Sequence, residues 1–486
     1  MACAALVLRA LTTSSDRRTL AVRHLPGTMV AMAWSKNTSA GDPIVSHSGA
    51  VLSRPVAFRF ALDLTAEQSQ RCFMFAGARR LAYNHHLARV KKNLERRAKE
   101  LDAGLGCDEL TPSPSWSKVS FINEFNAYKT GRTKDSPVNA DGTRGLAWRE
   151  EVSADVFECA SVDAAAALKN YRESATGARK GRRVGFPRFA AKHRDTPRFR
   201  LRSKCRPGET APIRFVGART LRVPKLGELR ISGSGKKIAR MIAAGRFHVY
   251  SASFTYSAGR WFVALTGVAA ELHPARRSLK GRHPSTVGVD RGVKSLLVAA
   301  DASGALVASF EEMNTLRCAE QRLKRANQAL ARTKPGSAGR KKAKARLARL
   351  HGEIARKRRH VTHEASLALA RGTRRLALED LHVAGMVRNR HLARSLSDAA
   401  LGELGRQLTY KAAWYGTELV LVERFYPSSK TCSRCGSVKE QLSLSTRVYA
   451  CEHCGLELDR DVNAAINLAR WPGARAATAS PKTAAA

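Results

Sequence analysis

The sequence predicts a multidomain α/β protein whose C-terminal half alternates strands and helices. Three observations carry that reading. The chain has 486 residues, room for about three folding units at roughly 150 residues each. Hydrophobic residues make up 44% of it, enough for true cores rather than a disordered basic tail. From residue 283 onward, short apolar runs of strand length alternate with long helical stretches. Charge then narrows the partner. Lys and Arg number 85 against 40 Asp and Glu, a formal charge of +45. A surface that basic repels itself and is tolerated where a polyanion is bound. A small acidic metabolite would not need charge spread over the whole chain. No window reaches 18 consecutive apolar residues, which argues against a membrane span. Nucleic acid is the leading partner.

Residues 1–54 hold only two acids, Asp16 and Asp42, and the apolar run Ala2 to Leu8 is short with no basic segment before it, which argues against a Sec signal. The acid-poor, Arg- and Ser-bearing composition mimics an organelle transit peptide. The simpler expectation is a disordered extension, or a start codon placed upstream of Met29 or Met32. Near residue 55, Val56, Phe58, Phe60 and Leu62 alternate with Ala57, Arg59 and Ala61, a strand period. Thr65-Ala-Glu-Gln68 reads as a capping box opening a helix through Phe73, Gly77, Leu81 and Leu87. Helices with polar loops are expected to about residue 180, with a turn-rich break at 131–143. The segment Lys180 to Phe189 is basic with aromatic residues between the charges. Two readings stand for it: a nucleic-acid backbone contact with base stacking, or a basic loop with Phe186 and Phe189 in the core. Residues 197–270 read as short strands at Phe199–Arg202, Ile213–Val216, Leu221–Val223, Leu229–Ile231, Phe247–Phe254 and Trp261–Thr266, a small barrel or sandwich. The strand near residue 55 is expected to join it, with the helical region inserted.

The stretch after 283 is the most informative. Val287–Asp290, Ser295–Ala299 and Ala305–Phe310 read as three strands, the last two joined by a turn at Asp301–Gly304. A helical region at 317–359, broken by Pro-Gly-Ser at 335–337, carries sixteen Lys or Arg against Glu320 and Glu353. Mixed-sign faces are the norm for simple solvation, so this one-sided charge points to a nucleic-acid backbone. A further helix to about Arg371, a strand Leu376–Glu379, a helix Ser397–Tyr415, a strand Glu418–Val422 and a last helix Asp461–Arg470 complete the order. Three strands, then helix, strand, helix, strand, helix is the order of an RNase H-like fold. The first three strands would form an antiparallel meander, and helical crossovers, right-handed by rule, would add the last two.

Acids fall at the ends of those elements. Asp290 ends the first strand, Glu379 the fourth, and Asp461 opens the last helix. Phosphodiester hydrolysis places charge on attacking and leaving oxygens, and two Mg2+ ions roughly 4 Å apart stabilise both. Hard divalent ions take oxygen ligands, so carboxylates at adjacent strand ends suit them. The three acids are therefore the candidate catalytic residues, holding two Mg2+ with Mn2+ as a substitute. Ordinary roles exist for each alone: Asp290 as a turn residue, Glu379 as a partner of Arg374 or Arg375, Asp461 as a helix cap. Asp301, Asp380 and Asp459 lie near enough to be mistaken for them.

Ten cysteines in so long a chain are no disulfide framework. Cys3, Cys72, Cys107, Cys159, Cys205 and Cys318 are scattered and read as small core residues in a reducing cytoplasm. Cys432-x2-Cys435 and, after fifteen residues, Cys451-x2-Cys454 have the spacing of a four-thiolate structural Zn2+ site. Two redox pairs are the alternative, without a thioredoxin-like context to support it. Four thiolates leave no open position, so this zinc would not be catalytic. Gly436 and Gly455 follow each knuckle, and His453 reads as a bystander.

Val287-Gly-Val-Asp-Arg-Gly-Val293, Leu376-Ala-Leu-Glu-Asp-Leu381, Cys432-Ser-Arg-Cys-Gly436, Cys451-Glu-His-Cys-Gly455 and Asp459-Arg-Asp-Val-Asn-Ala-Ala465 resemble the RuvC-type nuclease of TnpB proteins, RNA-guided nucleases encoded by insertion sequences and related to compact type V CRISPR effectors. The resemblance covers about 285–470, with weaker similarity back to residue 55 through Phe58–Leu87, with Tyr83-Asn84, and Gly185–Phe189. It implies an RNase H-like RuvC nuclease at 285–425 and 456–470, a zinc ribbon at 426–455, a wedge-like β-barrel at 55–64 and 195–280, a helical recognition lobe at 65–194, a disordered extension at 1–54 and a disordered tail at 471–486. It implies guide RNA and target DNA, double- and single-stranded, as partners, a bacterial cytoplasmic location on the nucleoid, and cutting beside a short flanking motif. In the family pattern the second Asp of Asp-Arg-Asp is the ligand, favouring Asp461 over Asp459. Either a transposon-encoded or a CRISPR-associated protein fits. An RNA-guided binder that does not cut, or a transposase or resolvase without a guide, are the alternatives; the intact acids oppose the first, and the ribbon and large basic N-terminal half oppose the second.

Overall fold

The computed structural model describes residues 44–45, 51–52, 54–204, 210–270, 281–293, 295–311, 315–389, 393–443, 445–471 and 475–476. The expectations about a transit peptide and the start codon, and most of the tail, lie outside them. The chain divides into two compact units, the first reaching Ala270 and the second beginning at Glu271. Among the described residues, no helix is long and apolar enough to cross a membrane.

In the first unit, β1 (Ile44–Val45) and β2 (Val51–Leu52) pair as a short antiparallel ribbon inside the stretch expected to be disordered. β3 (Arg54–Asp63) follows, then α1 (Ala66–Asp102), α2 (Lys118–Lys129) and α3 (Ala154–Ala175). The capping box that opens α1 is formed: Thr65 Oγ1 accepts from the Gln68 amide at 3.2 Å, and Gln68 Oε1 accepts from the Thr65 amide at 3.2 Å. The three helices share an apolar core including Leu87, Val90, Phe121, Ala164 and Leu168. Phe186 packs against that core and Phe189 lies at the surface, so the two aromatic residues of the basic segment divide between its two readings.

β4 (Arg198–Arg202), β5 (Arg214–Gly217), β6 (Thr220–Val223), β7 (Gly227–Ser232), α4 (Lys236–Ala243), β8 (Phe247–Ser257) and β9 (Arg260–Ala269) complete the unit. The strands form one antiparallel sheet in the order β4-β8-β9-β3-β7-β6-β5. β3 is paired to β9 from Arg54↔Ala269 to Ala61↔Phe262, which carries the chain's first long strand into a sheet completed some 200 residues later. The sheet curls: Phe60 of β3 touches Phe215 of β5 with ring centroids 5.8 Å apart, although three strand spacings would separate them by about 14 Å if it were flat. α4 was not expected; its Ile238 and Met241 turn inward from an otherwise basic turn.

The second unit starts with β10 (His283–Asp290), β11 (Ser295–Asp301) and β12 (Leu306–Glu311), an antiparallel meander. α5 (Thr315–Ala331) and α6 (Ala338–Gly372) form a basic helical pair. They bury a narrow stripe of Ala319, Leu323, Ala326, Leu350 and Ile354 and turn most of their Lys and Arg outward. α6 is one helix where two were expected, because nothing after Ser337 breaks it: Gly352 costs only about 1 kcal/mol in a helix interior and the helix runs through it. β13 (Thr373–Glu379), α7 (Val383–Met386), α8 (Ala393–Ala399), α9 (Leu401–Tyr415) and β14 (Glu418–Val422) follow. The expected single helix to Tyr415 is split at Ala400, whose φ of 52° is incompatible with continuing an α-helix. β15 (Val448–Ala450), β16 (Glu457–Asp459) and α10 (Arg460–Ala469) come last, with β17 (Arg475–Ala476) pairing antiparallel to β14. That pair lies in the tail expected to be disordered; the open edge of β14 offers it backbone partners. The main sheet runs β12-β11-β10-β13-β14-β17, with β10, β13 and β14 mutually parallel. This is the RNase H-like order. Cys72 and Cys159 are core residues as expected, whereas Cys107, in the loop after α1, and Cys318, on the outer face of α5, are exposed.

Candidate active site and zinc centre

Two parallel strands deliver the first two acids to one place. β10 and β13 pair in register through Val289↔Leu378, so Asp290 and Glu379, the next residue of each strand, emerge side by side at the same end of the sheet. The third acid arrives by close packing. Gly288 has no side chain, and a Cβ there would lie 2.0 Å from the Ala465 carbonyl and 2.5 Å from the Ala469 amide. α10 therefore rests on the bare backbone of β10, and its first turn brings Asp461 toward Asp290. Burial pushes the Asp290 carboxyl well above its ordinary range, and the charges of Glu379 and Asp461 push it further, against Arg460 and Arg291. Three acids thus share one field, and their mutual repulsion is what a cation among them would relieve.

The three similar acids are engaged elsewhere. Asp459 caps α10, its Oδ1 accepting from the amides of Asp461 and Val462 at 2.9 and 3.1 Å. Asp461 is thereby released from the capping role. Asp301 closes the β11–β12 turn, accepting from Ser303 N, Ser303 Oγ and Ala305 N. Asp380 pairs with Arg424 at 2.5 Å on the surface. Arg375, a local partner considered for Glu379, pairs with Glu418 at 3.3 Å instead.

Two residues of the site carry no signal recognisable in the sequence. Ser428 donates through Oγ to Glu379 Oε1 at 2.6 Å. Arg291 is buried beside the acids; its Nη2 donates to the Glu379 carbonyl at 2.5 Å and its Nη1 to the Leu401 carbonyl at 3.3 Å. It occupies the space beside Gly405, where a Cβ would sit 2.4 Å from Nη1. Asn463 and Asn467 do carry a signal, since amides four residues apart on a helix whose neighbours are Ala, Ile and Leu need partners when buried. Asn467 Nδ2 donates to the carbonyls of Ser428 and Thr431 at 2.8 and 2.7 Å, and Asn463 holds Ser433 N and the Thr431 carbonyl. These bonds tie the entry into the cysteine segment to the helix that carries Asp461.

The four clustered cysteines come together. Their sulfurs lie within 4.8 Å of one another, with Cys432–Cys454 and Cys435–Cys451 each at 3.6 Å. That spacing is far too long for a disulfide and close to the roughly 3.8 Å edge of a tetrahedron with Zn–S bonds of about 2.3 Å. Gly436 and Gly455 take φ of 78° and 68°, the left-handed turn that closes each knuckle. Burial opposes ionising Cys432, yet the amides of Cys435 and Arg434 outweigh it and bring the thiol down to about 6. Burial pushes Cys454 up to about 12, against the amide of Leu456 and with hydrogen bonds to the other three sulfurs adding to the rise. A cation among the four sulfurs would allow all of them to be thiolates together. His453 is exposed and outside the cluster. The three acids are not drawn as tight: among the described residues, the sets whose ligand atoms gather within 4.8 Å are the four cysteines and a group in the first unit, His85, His86 and Glu124.

Comparison with known proteins places these features in a lineage. Residues 402–468 match the family described as Cas12f1-like, TNB domain; 277–390 match the family described as Probable transposase; and 56–99 match a family described as Helix-turn-helix domain. In this chain the last of these is a strand followed by one 37-residue helix. The chain is 31% identical over 422 residues to Rv2885c of Mycobacterium tuberculosis strain H37Rv, spanning 85% of this chain and 86% of that protein. It is 34% identical over 289 residues to a protein of Streptomyces pristinaespiralis, 59% of this chain and 67% of that one. It is 26% identical over 435 residues to InsQ of Escherichia coli K12, 86% of this chain and 92% of that one. All three relatives carry the name RNA-guided DNA endonuclease.

Proposed function

Because the chain belongs to the TnpB family of RNA-guided DNA endonucleases, we propose that it cuts DNA at sites chosen by a bound guide RNA, with Asp290, Glu379 and Asp461 as the catalytic carboxylates. The observation that carries the assignment of residues is the parallel pairing of β10 with β13, which sets Asp290 beside Glu379 at one sheet end, under the field of Asp461. A set of three carboxylate donors with uncompensated charge fits hard divalent ions such as Mg2+ or Mn2+. Bound there, two such ions would stabilise the charge of an in-line displacement at phosphorus.

The protein's own groups do the remaining work. Ser428 holds one oxygen of Glu379, so the other is left to face the centre of the site. Arg291 fixes the Glu379 backbone from beneath. The cysteine segment, loaded with structural Zn2+, braces α10 through Asn463 and Asn467 and so sets the position of Asp461. The outward Lys and Arg of α5 and α6 contact nucleic-acid phosphates, an attraction that needs no sequence and weakens steeply with salt. In the first unit, the curled sheet of β3 with β4 to β9 acts as the wedge and α1 to α3 as the recognition lobe, the two holding guide RNA and reading the flanking motif. Guide pairing supplies the sequence specificity.

A plasmid carrying a guide-matched target tests this. Asp290→Ala, Glu379→Gln and Asp461→Ala should each abolish cleavage while guide-dependent DNA binding, read by gel shift at moderate salt, stays within a few-fold of the parent. Near-parental cutting by the Asp461 variant would remove the third carboxylate from the site. Equal cutting by RNA-free protein would replace the guided reading with a resolvase-like one.

A further inference from the structure

The helices of the first unit hold a second group of metal-binding side chains that the nuclease reading does not use. His85 and His86 are consecutive on α1, and Glu124 faces them from α2. His85 Nε2 lies 2.8 Å from Glu124 Oε1, and His86 Nδ1 lies 3.4 Å from Glu124 Oε2. His86 is 0% exposed. Its ring stacks on Phe121 at 4.4 Å and 3°.

The hydrogen bonds around His86 decide which of its nitrogens carries the proton. Ser161 Oγ donates to the Phe157 carbonyl at 2.9 Å, and a carbonyl can only accept. Ser161 Oγ also lies 2.8 Å from His86 Nε2. With the hydroxyl proton on the Phe157 carbonyl, Ser161 accepts there and Nε2 is the protonated nitrogen. In a neutral imidazole, Nδ1 then presents a lone pair to Glu124 Oε2. Neither atom has a hydrogen-bond partner, and both are buried. Arg89 Nη1 comes no nearer to Oε2 than 3.6 Å. Two lone pairs facing each other in a dry interior repel unless a positive charge lies between them.

Arg89, paired with Oε2, offsets part of the Glu124 charge but leaves His86 Nδ1 without a partner; between a proton and a metal ion in that gap, the 3.4 Å separation decides. A charge-assisted hydrogen bond would draw the atoms to about 2.7–2.9 Å, which is where His85 Nε2 already stands from Glu124 Oε1, so His85 donates a proton there in the metal-free site and releases it when an ion binds. Two ligands about 2.0–2.1 Å from a tetrahedral ion stand about 3.4 Å apart. A metal-binding His typically donates its other nitrogen to a protein oxygen, as His86 does to Ser161.

We propose that His85 Nε2, His86 Nδ1 and the Glu124 carboxylate bind a transition-metal cation, of which Zn2+ best suits two imidazoles and one carboxylate. The ion clamps α1 to α2 within the first unit. Three protein ligands leave a fourth position for water. The site is independent of the cysteine zinc and of the carboxylates at the sheet end of the second unit.

The test counts metal in untagged full-length protein by elemental analysis after saturation with Zn2+ and gel filtration. An Asp290→Ala background keeps the nuclease carboxylates from contributing. Two equivalents are expected, falling to one in Glu124→Gln and to one in Cys432→Ser, the remaining ion being the other site's. Reloading with Co2+ distinguishes them: the cysteine site gives thiolate charge-transfer absorption, and the second ion adds only weak ligand-field bands that Glu124→Gln removes. Circular dichroism establishes that Glu124→Gln is folded; should it not be, the Co2+ bands of the parent decide, two sets supporting the site and thiolate bands alone overturning it. One equivalent of Zn2+ in the parent, with His86 protonated on both nitrogens by nitrogen-15 NMR, would also overturn it. Loss of cleavage plays no part in this readout, so the nuclease reading and this one fail separately.

Discussion

The seven-stranded sheet of the first unit and the six-stranded sheet of the second place their strand ends differently. In the first, every pairing among the described residues is antiparallel. Neighbouring strands end at opposite edges, and the acid that ends β3, Asp63, is taken up by Arg260 on the neighbouring β9. In the second, β10, β13 and β14 run the same way, so the ends of three strands gather at one edge. Parallel neighbours need crossover connections, and those crossovers supply the helices that cover the sheet. Burial follows the same division. β11 is buried from Leu296 through Asp301, whereas β7 alternates between exposed and buried positions from Glu228 to Ser232. Strand direction, rather than acid content, is what collects carboxylates into a site.

The sharpest way to break the comparison is to disturb one sheet at a time. Gly288→Ala puts a methyl group into the backbone of α10, and Gly267→Ala puts one 1.8 Å from the His248 carbonyl on β8. Each should cost its own unit about 3 kcal/mol or more, since neither contact is with a side chain that can swing away. Limited proteolysis of the full chain should show cuts after residue 271 for the first variant and before it for the second. Uniform cleavage of both variants across both units would mean that the sheets do not unfold separately.

A smaller effect concerns the helices that the crossovers bury. Lys411 of α9 lies under α6, donating to the His363 carbonyl and to Ser366 Oγ at 2.7 Å each. Burial brings its pKa down to about 8, although Glu403 acts to raise it. The unfolded chain holds this proton to about pH 10.5, so between pH 8 and 10.5 the unfolded state binds more protons and stability rises with pH. Below about pH 8 both states carry the charge and the burial cost is present in full. Lys411→Met should remove a rise on the order of 1–3 kcal/mol from the second unit, measured as the difference between urea midpoints of parent and variant across that range. Parallel curves would show that Lys411 reaches water in the folded state.

The smallest effect sharpens the site itself. Ser428→Ala leaves Glu379 without its 2.6 Å partner, a loss of about 1 kcal/mol, or roughly fivefold in cleavage rate. Raising Mg2+ should recover part of it if the hydroxyl orients a ligand, and Ser428→Thr should recover more. A rate unchanged in Ser428→Ala would mean that Glu379 is held by its backbone alone.

What was legible in the sequence by itself rests on short-range rules. Strand and helix order from 283 onward follows from periodicity, so the RNase H-like order could be read before any contact was known. The four-cysteine cluster was legible because thiols at knuckle spacing have few other uses, and Gly436 and Gly455 mark the turns they need. The acids stood out by falling at element ends. The family pattern already favoured Asp461 over Asp459, two residues apart and chemically alike; what only the tertiary structure adds is that Asp459 spends its carboxylate on capping α10. Ser428 and Arg291 reach the site through bonds to residues 49 and 88 positions away, which no local pattern encodes. The break at Ala400 was equally hidden, because alanine is the best helix former and its positive φ is imposed by the packing around it. His85, His86 and Glu124 carry the same lesson, since two histidines in a row on a helix mean little until a second helix sets a carboxylate against them. Sequence determined which residues were available, through propensity and spacing. The tertiary structure decided which of them meet, because proximity across a fold depends on strand direction and close backbone packing, neither of which a linear pattern contains.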